Sequence, residues 1–265
     1  MPEADTPSCV VVGVDGSRAA VAAAVWAVDE AVARDIPVRL VHVVDDQRKS
    51  GLAVLREAHI AAEATGQPVK IETEIMHGRP LAALLAASHS AAMVCVGPIG
   101  LRRSAIPIGS TAAGLVSSAR CPVAIVRSHA AADGWVVVEA DDSPTDSAVL
   151  QRAIDEALLR GGRLQVVTTW HPDIHGADAP GGQRVAAQLG RRIAPWIRRY
   201  PDLDIRPVAV RGKILNYLIK HADSVQLVVV GKNVSGDVAE LVGPAGHAAL
   251  RHTGCSVLVV CPRYL

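Results

Sequence analysis

Val10-Val11-Val12-Gly13-Val14-Asp15-Gly16-Ser17 reads as a short buried strand that ends on a carboxylate, turns, and meets a hydroxyl suited to cap a helix. The same order returns in Val136-Val137-Val138-Glu139-Ala140-Asp141-Asp142-Ser143. There Pro144 follows at the first helical position, where its missing N–H costs nothing. Two such strand–turn–cap units in one chain make internal duplication the first question.

Working outward, each start leads into an Ala-rich amphipathic stretch, Arg18 to Arg34 and Thr145 to Arg160. Apolar strand-like runs follow, Val38 to Val44 and Arg163 to Thr169, and second helices are expected near Gly51 to Ala64 and Gln183 to Arg199. From His77 onward the halves stay in register without a gap. Gly78 matches Gly212, Leu81 matches Leu215, Leu84 matches Leu218, and Val94, Val96 and Gly97 match Val228, Val230 and Gly231. Gly109 then matches Gly243, Cys121 matches Cys255, and Val123 matches Val257. Shared glycines report shared backbone requirements, so the chain is a tandem duplication. The expected division is a domain over 1–127, a small polar linker over 128–134, and a second domain over 135–265.

Strands alternating with helices imply a parallel sheet covered on both faces, written β-α-β-α-β-α-β-α-β in each half. With no Phe at all, the core is expected to be Val, Leu, Ile and Ala. The formal net charge is only +1, and no long run of like charge suggests a partner among nucleic acids or membranes. Arg191, Arg192, Arg198 and Arg199 cluster and read as the solvated face of a helix. Met1 to Ser8 lacks the apolar core of a signal peptide, and the expected location is the cytoplasm. The five cysteines show no C-x-x-C spacing and read as reduced, buried thiols.

In an open parallel sheet, ligands gather beyond the carboxyl ends of the strands, where the strand order reverses. In the first half those ends carry Asp15 and, after the fourth strand, Gly97-Pro98-Ile99-Gly100. Eight residues, Leu101 to Ile108, lead to Gly109-Ser110-Thr111 at the start of a helix. Glycines let backbone approach an anion, a helix N-terminus offers free N–H groups, and Arg102 and Arg103 reach toward phosphate oxygens. The same residues also fit a tight turn into a helix capped by Ser110, which needs no ligand.

The Val-Gly-Val-Asp-Gly-Ser start, Gly97-x-x-Gly100, Gly109-Ser110 and Cys121-Pro122-Val123 together resemble the universal stress protein family in its tandem form. The resemblance implies two doubly wound α/β domains, each a five-stranded parallel sheet in the order 3-2-1-4-5. It further implies ATP, with Mg as its companion ion, bound by a pattern G-x(2)-G-x(9)-G-(S/T). On that basis Gly13 and Asp15 border the adenosine and Val43 lines the adenine slot. Gly78 lies beside the same cleft, while Gly97, Gly100, Gly109 and Ser110 cradle the phosphates, with Arg102, Arg103 and Thr111 adjoining. The fifth strands, Val123 to Arg127 and Val257 to Cys261, are expected to face each other, and a homodimer is a further form of partnership, beside an unidentified protein partner.

Two departures matter. The spacer from Leu101 to Ile108 is one residue short and contains Pro107, and one residue displaces a chain by up to about 3.5 Å. The second half has Val234 in place of the second glycine, Pro244 in place of the hydroxyl after Gly243, and Glu139 in place of Gly13. That half is expected to bind no nucleotide.

Catalytic signatures are missing from the sequence: no G-x-G-x-x-G after the first strand, no phosphate-binding G-x(4)-G-K-(S/T), no G-x-S-x-G. His171 and His175 are separated by Pro172, which spoils a helical metal pair. His77 and His89 read as surface or capping groups, and Asp141 with Asp142 as turn residues. The expected function is therefore regulation of a stress response by a bound adenine nucleotide, without enzymatic turnover. The alternative is a nucleotide-free interaction module of the same fold.

Overall fold

The computed structural model describes residues 9–44, 51–98, 110–127, 134–140, 146–171, 180–232, 237–250 and 253–261. The chain forms two compact units, one built mainly from the first half of the sequence and one mainly from the second. In the first, strands β1 (Cys9–Gly13), β2 (Val38–Val44), β3 (Ile71–His77), β4 (Ala91–Val96) and β5 (Val123–Ile125) alternate with helices. The helices are α1 (Arg18–Val32), α2 (Gly51–Glu63), α3 (Pro80–Ala87) and α4 (Ser110–Ser118). The strands pair in parallel in the order β3-β2-β1-β4-β5.

The second unit repeats the arrangement with β6 (Trp135–Glu139), α5 (Asp146–Leu159), β7 (Arg163–Trp170), α6 (Pro180–Arg199), β8 (Asp204–Arg211) and α7 (Ile214–Lys220). It ends with β9 (Val225–Gly231), α8 (Asp237–Val242), α9 (Pro244–Leu250) and β10 (Ser256–Val260). Its parallel order, β8-β7-β6-β9-β10, is the same 3-2-1-4-5 winding. One expectation is corrected here. A single helix was expected between the fourth and fifth strands, and two short ones stand there, with α9 opening on Pro244. Proline lacks the N–H that would continue α8 but is suited to begin a new helix.

Packing explains why these residues form these elements. Val10, Val11 and Val12 are fully buried, as suits a central parallel strand covered on both faces. Ala20, Ala23, Ala24, Ala27 and Ala31 form the inner side of α1 and let that helix lie close to the sheet. Each fully buried Val or Leu contributes about 1.5–3 kcal/mol of transfer free energy.

The outer strands are protected differently. On β3, Glu72 and Glu74 each approach Arg39 of β2 at 3.9 Å, and Lys70 meets Glu72 at 2.7 Å. The hydrogen bond from Lys70 holds the Glu72 carboxyl below its usual range; burial opposes it, and the charges of Lys70 and Arg39 add to it. On β8, Pro207 sits opposite Val166 of β7, a residue type tolerated only where a ladder donor is not needed. Charge and proline at an edge both discourage further strand addition.

Candidate functional site

In the first unit the winding reverses between β1 and β4, so the crevice lies beyond Gly13 and Val96. Val14 continues the ladder by donating its N–H to Val41 O at 2.8 Å. Its own carbonyl accepts from His42 Nδ1 at 2.6 Å, a contact that requires the proton on Nδ1. The chain then turns sharply: Ser17 N donates to Asp15 Oδ1 at 3.0 Å, Gly16 adopts φ +86°, and Ser17 Oγ accepts from Ala20 N at 3.1 Å. Asp15 is thereby held at the carboxyl edge of the sheet, half-buried, at the entry to α1.

Gly13 and Gly97 are explained by packing as well as by approach. A Cβ on Gly13 would lie 2.9 Å from Leu84 Cδ1 and 3.1 Å from Val96 Cγ1. A Cβ on Gly97 would lie 2.9 Å from Ala19 Cβ and 3.3 Å from the backbone of Ala19 and Ala20. The second glycine therefore lets the end of β4 touch the first turn of α1. Gly78 differs: it adopts φ +113° and donates to Val44 O at 3.1 Å, and a Cβ added there would meet nothing within 4 Å. Val43, half-buried on β2, completes the described rim. Ser110 and Thr111 open α4, which by the βαβ winding starts at this end of the sheet. Gly100, Arg102, Arg103 and Gly109 lie outside the described residues.

The second unit preserves the scaffold and changes the chemistry. Ala140 N donates to Val167 O at 2.8 Å, and Thr168 Oγ donates to Ala140 O at 2.9 Å, repeating the roles of Val14, Val41 and His42. Gly212, at φ +95°, donates to Trp170 O at 2.9 Å just as Gly78 does to Val44. Where the first unit has Gly13 and Val43, however, Glu139 is buried and accepts from Thr169 Oγ at 3.1 Å. Lys213, before α7, pairs with Glu240 of α8 at 2.7 Å.

Two features escape a reading of motifs alone. The exchange of a histidine for a threonine at one clamp position is invisible until residues 28 apart are seen to bond. The other is a buried acid repeated on the first helix of each unit. Glu30 pairs with Arg34 at 2.8 Å, and Glu156 pairs with Arg152 at 2.7 Å and Arg160 at 3.1 Å. The periodic recurrence of Glu and Arg in the two halves was the available signal. His89 caps α3, its Nδ1 lying 2.9 Å from Leu85 O, and His77 ends β3 exposed. The five cysteines are buried, as thiols rather than disulfides. Among the described residues, no group of three or more His, Cys, Asp or Glu gathers in a way that would hold a metal ion. No described helix is long and apolar enough to cross a membrane.

Fold and crevice define a tandem doubly wound α/β protein with a switch-point cleft in each half. The universal stress protein family matches residues 9–127 and again 135–261, and the chain belongs to that family. The universal stress protein Rv2028c of Mycobacterium tuberculosis is 42% identical over 283 residues, covering 100% of both chains. A second from that organism, Rv2624c, is 41% identical over 270 residues, covering 96% of this chain and 97% of its own length. Among solved structures, a universal stress protein of Archaeoglobus fulgidus superposes with a TM-score of 0.70 over 97% of each chain at 16% identity, a likeness of fold. Membership supports a role in the response to stress.

Proposed function

We propose that the first unit binds an adenine nucleotide, ATP by the character of its loop, and that binding rather than turnover is what it contributes to a stress response. The observation that carries this reading is the placement of Asp15 and Gly97 at the neighbouring ends of β1 and β4, on either side of the switch point. Val43 and Gly78 line the adenosine end, and Gly100, Gly109, Ser110, Arg102 and Arg103 supply the phosphate end by sequence. The described residues fit the nucleoside: a rim with a carboxylate, an apolar side chain and an unobstructed glycine. The bound triphosphate would supply charge for backbone N–H groups and arginines to hold, and Mg would accompany it there.

The second unit, with Glu139 at the position of Gly13 and Pro244 opening α9, is a scaffold without nucleotide. Titration calorimetry with ATP tests the whole reading. Replacing Arg102 and Arg103 together by Ala weakens binding at least about tenfold, since each charge-assisted contact is worth roughly 1.5–3 kcal/mol. Gly109→Val abolishes it and Gly243→Val leaves it intact. Undetectable binding to the unsubstituted chain at millimolar ATP ends the proposal.

A second reading, a nucleotide-free interaction module, is favoured by one observation: the contact with Ala19 accounts for Gly97 without any phosphate. An empty site in calorimetry, with α1 undisturbed, selects it.

A further inference from the structure

Helix α6 (Pro180–Arg199) carries five arginines and not one acidic residue, in a chain whose net charge is only +1. Three of the five, Arg184, Arg191 and Arg198, recur every seventh position. Seven residues advance an α-helix about 10.5 Å and return to within about 20° of the same direction. The three therefore form one row, about 21 Å long. All three are exposed, on the side opposite the buried Leu189 and Ile193. The helix is continuous through Pro195. The remaining two arginines are engaged: Arg192 meets Asp146 at 3.5 Å, and Arg199 stands 5.4 Å from the centre of the Tyr200 ring. Arg184, Arg191 and Arg198 make no ion pair with a described residue.

We infer that this row is a docking surface for an acidic helix of another protein, one bearing a carboxylate at every seventh position. The repeat of about 10.5 Å is the spacing of side chains on a helical partner, where charges flanking a seam set pairing and register. A lipid surface is matched less well. A helix that lies in a membrane must offer its apolar side, and the central apolar residues of α6, Leu189 and Ile193, are already buried. A nucleic acid is matched less well too, because the face between the arginines holds Ala187, Gln188 and Pro195, with no aromatic side chain for a base to stack upon. The inference is independent of nucleotide binding in the first unit.

The test uses the full chain and a labelled helical peptide of about 21 residues with Glu at every seventh position, followed by fluorescence anisotropy. A control peptide has the same composition with its glutamates distributed around the helix. The heptad peptide binds at least about tenfold more tightly than the control, and binding weakens as salt is raised. The combined substitution Arg184→Ala, Arg191→Ala and Arg198→Ala removes the difference while leaving the thermal melt unchanged. Gln188→Glu, which sets a carboxylate within the row without touching the core, weakens binding several-fold. Equal affinity for the two peptides overturns the inference, as does unchanged binding in either variant. So does tighter binding of phosphatidylserine vesicles or of a DNA duplex than of the heptad peptide.

Discussion

The hydroxyl of Thr169 donates to the buried carboxylate of Glu139 at 3.1 Å, and the first unit has Val43 and Gly13 in those two places. A carboxylate buried without a donor would have been costly, and the hydroxyl of Thr169 supplies one. Thr169→Val removes one donor from a desolvated carboxylate and costs about 1–3 kcal/mol, read as a lower urea midpoint. Val43→Thr in the first unit, where no carboxylate waits, changes the midpoint little.

Gly97 separates packing from ligand binding. Gly97→Ala forces a methyl against Ala19 Cβ at 2.9 Å and against backbone that cannot rotate away. Overpacking of this kind costs about 1–3 kcal/mol. Ala19→Gly relieves the closest contact and restores part of the loss, because the 3.3 Å backbone contacts remain. Calorimetric melting of the two single variants and the double variant gives the coupling directly. Additive losses would show that Gly97 does not lean on α1.

The repeated acids on α1 and α5 differ in depth. Arg152 and Arg160 around Glu156 have side chains 11% and 9% exposed, whereas Arg34 beside Glu30 is 25% exposed. Glu156→Ala strips two enclosed guanidiniums of their carboxylate and costs about 3–5 kcal/mol. Glu30→Ala costs less, since water reaches Arg34. Denaturant midpoints rank the two, and a larger loss at Glu30 would contradict the assignment.

How these acids were hidden shows what a sequence does and does not disclose. The strand Val38–Val44 and the starts of α1 and α2 were legible because apolar period and caps act locally. The strand order followed from the resemblance alone, and the structure has the same winding in each unit. The burial of Glu30 was not legible, even though Glu30 and Arg34 recur as Glu156 and Arg160: within Ala-Val-Asp-Glu-Ala-Val a glutamate reads as a solvated charge, and only the fold encloses it. His42 escaped for the same reason, since its partner Val14 lies 28 residues away. Gly97 was read as room for an anion, but the neighbour that fills that room, Ala19, is brought there by the fold.

Tyr217 gives the molecule an alkaline limit. Its phenol is 8% exposed and donates to Gln165, and burial pushes its pKa above the ordinary 10.0. The folded state thus holds a proton that the unfolded chain releases sooner. Stability from this group is complete below the unfolded value and falls as pH rises through the folded one. In spectrophotometric titration Tyr217 ionises after an exposed tyrosine does. Tyr217→Phe makes stability fall less steeply above pH 10, and an unchanged slope would place the effect elsewhere.

Asp15 has two duties that one pair of substitutions can pull apart. Its Oδ1 accepts from Ser17 N and so fixes the turn that leads into α1. Its charge, in the proposed complex, faces the nucleoside. Asn keeps an acceptor of the same shape and loses only the charge, whereas Ala loses both. Asp15→Asn should therefore leave the melting temperature nearly unchanged, and Asp15→Ala should lower stability by about 0.5–1.5 kcal/mol, the usual net worth of one intramolecular hydrogen bond. For ATP the order is different. A carboxylate accepting from a sugar hydroxyl is a charge-assisted acceptor, and a neutral amide oxygen is roughly half as strong. Both variants should then bind ATP about tenfold more weakly, although only one is less stable. If Asp15→Asn binds ATP as the unsubstituted chain does, Asp15 serves the turn alone, and the nucleoside is held by Val43 and the backbone beside Gly13.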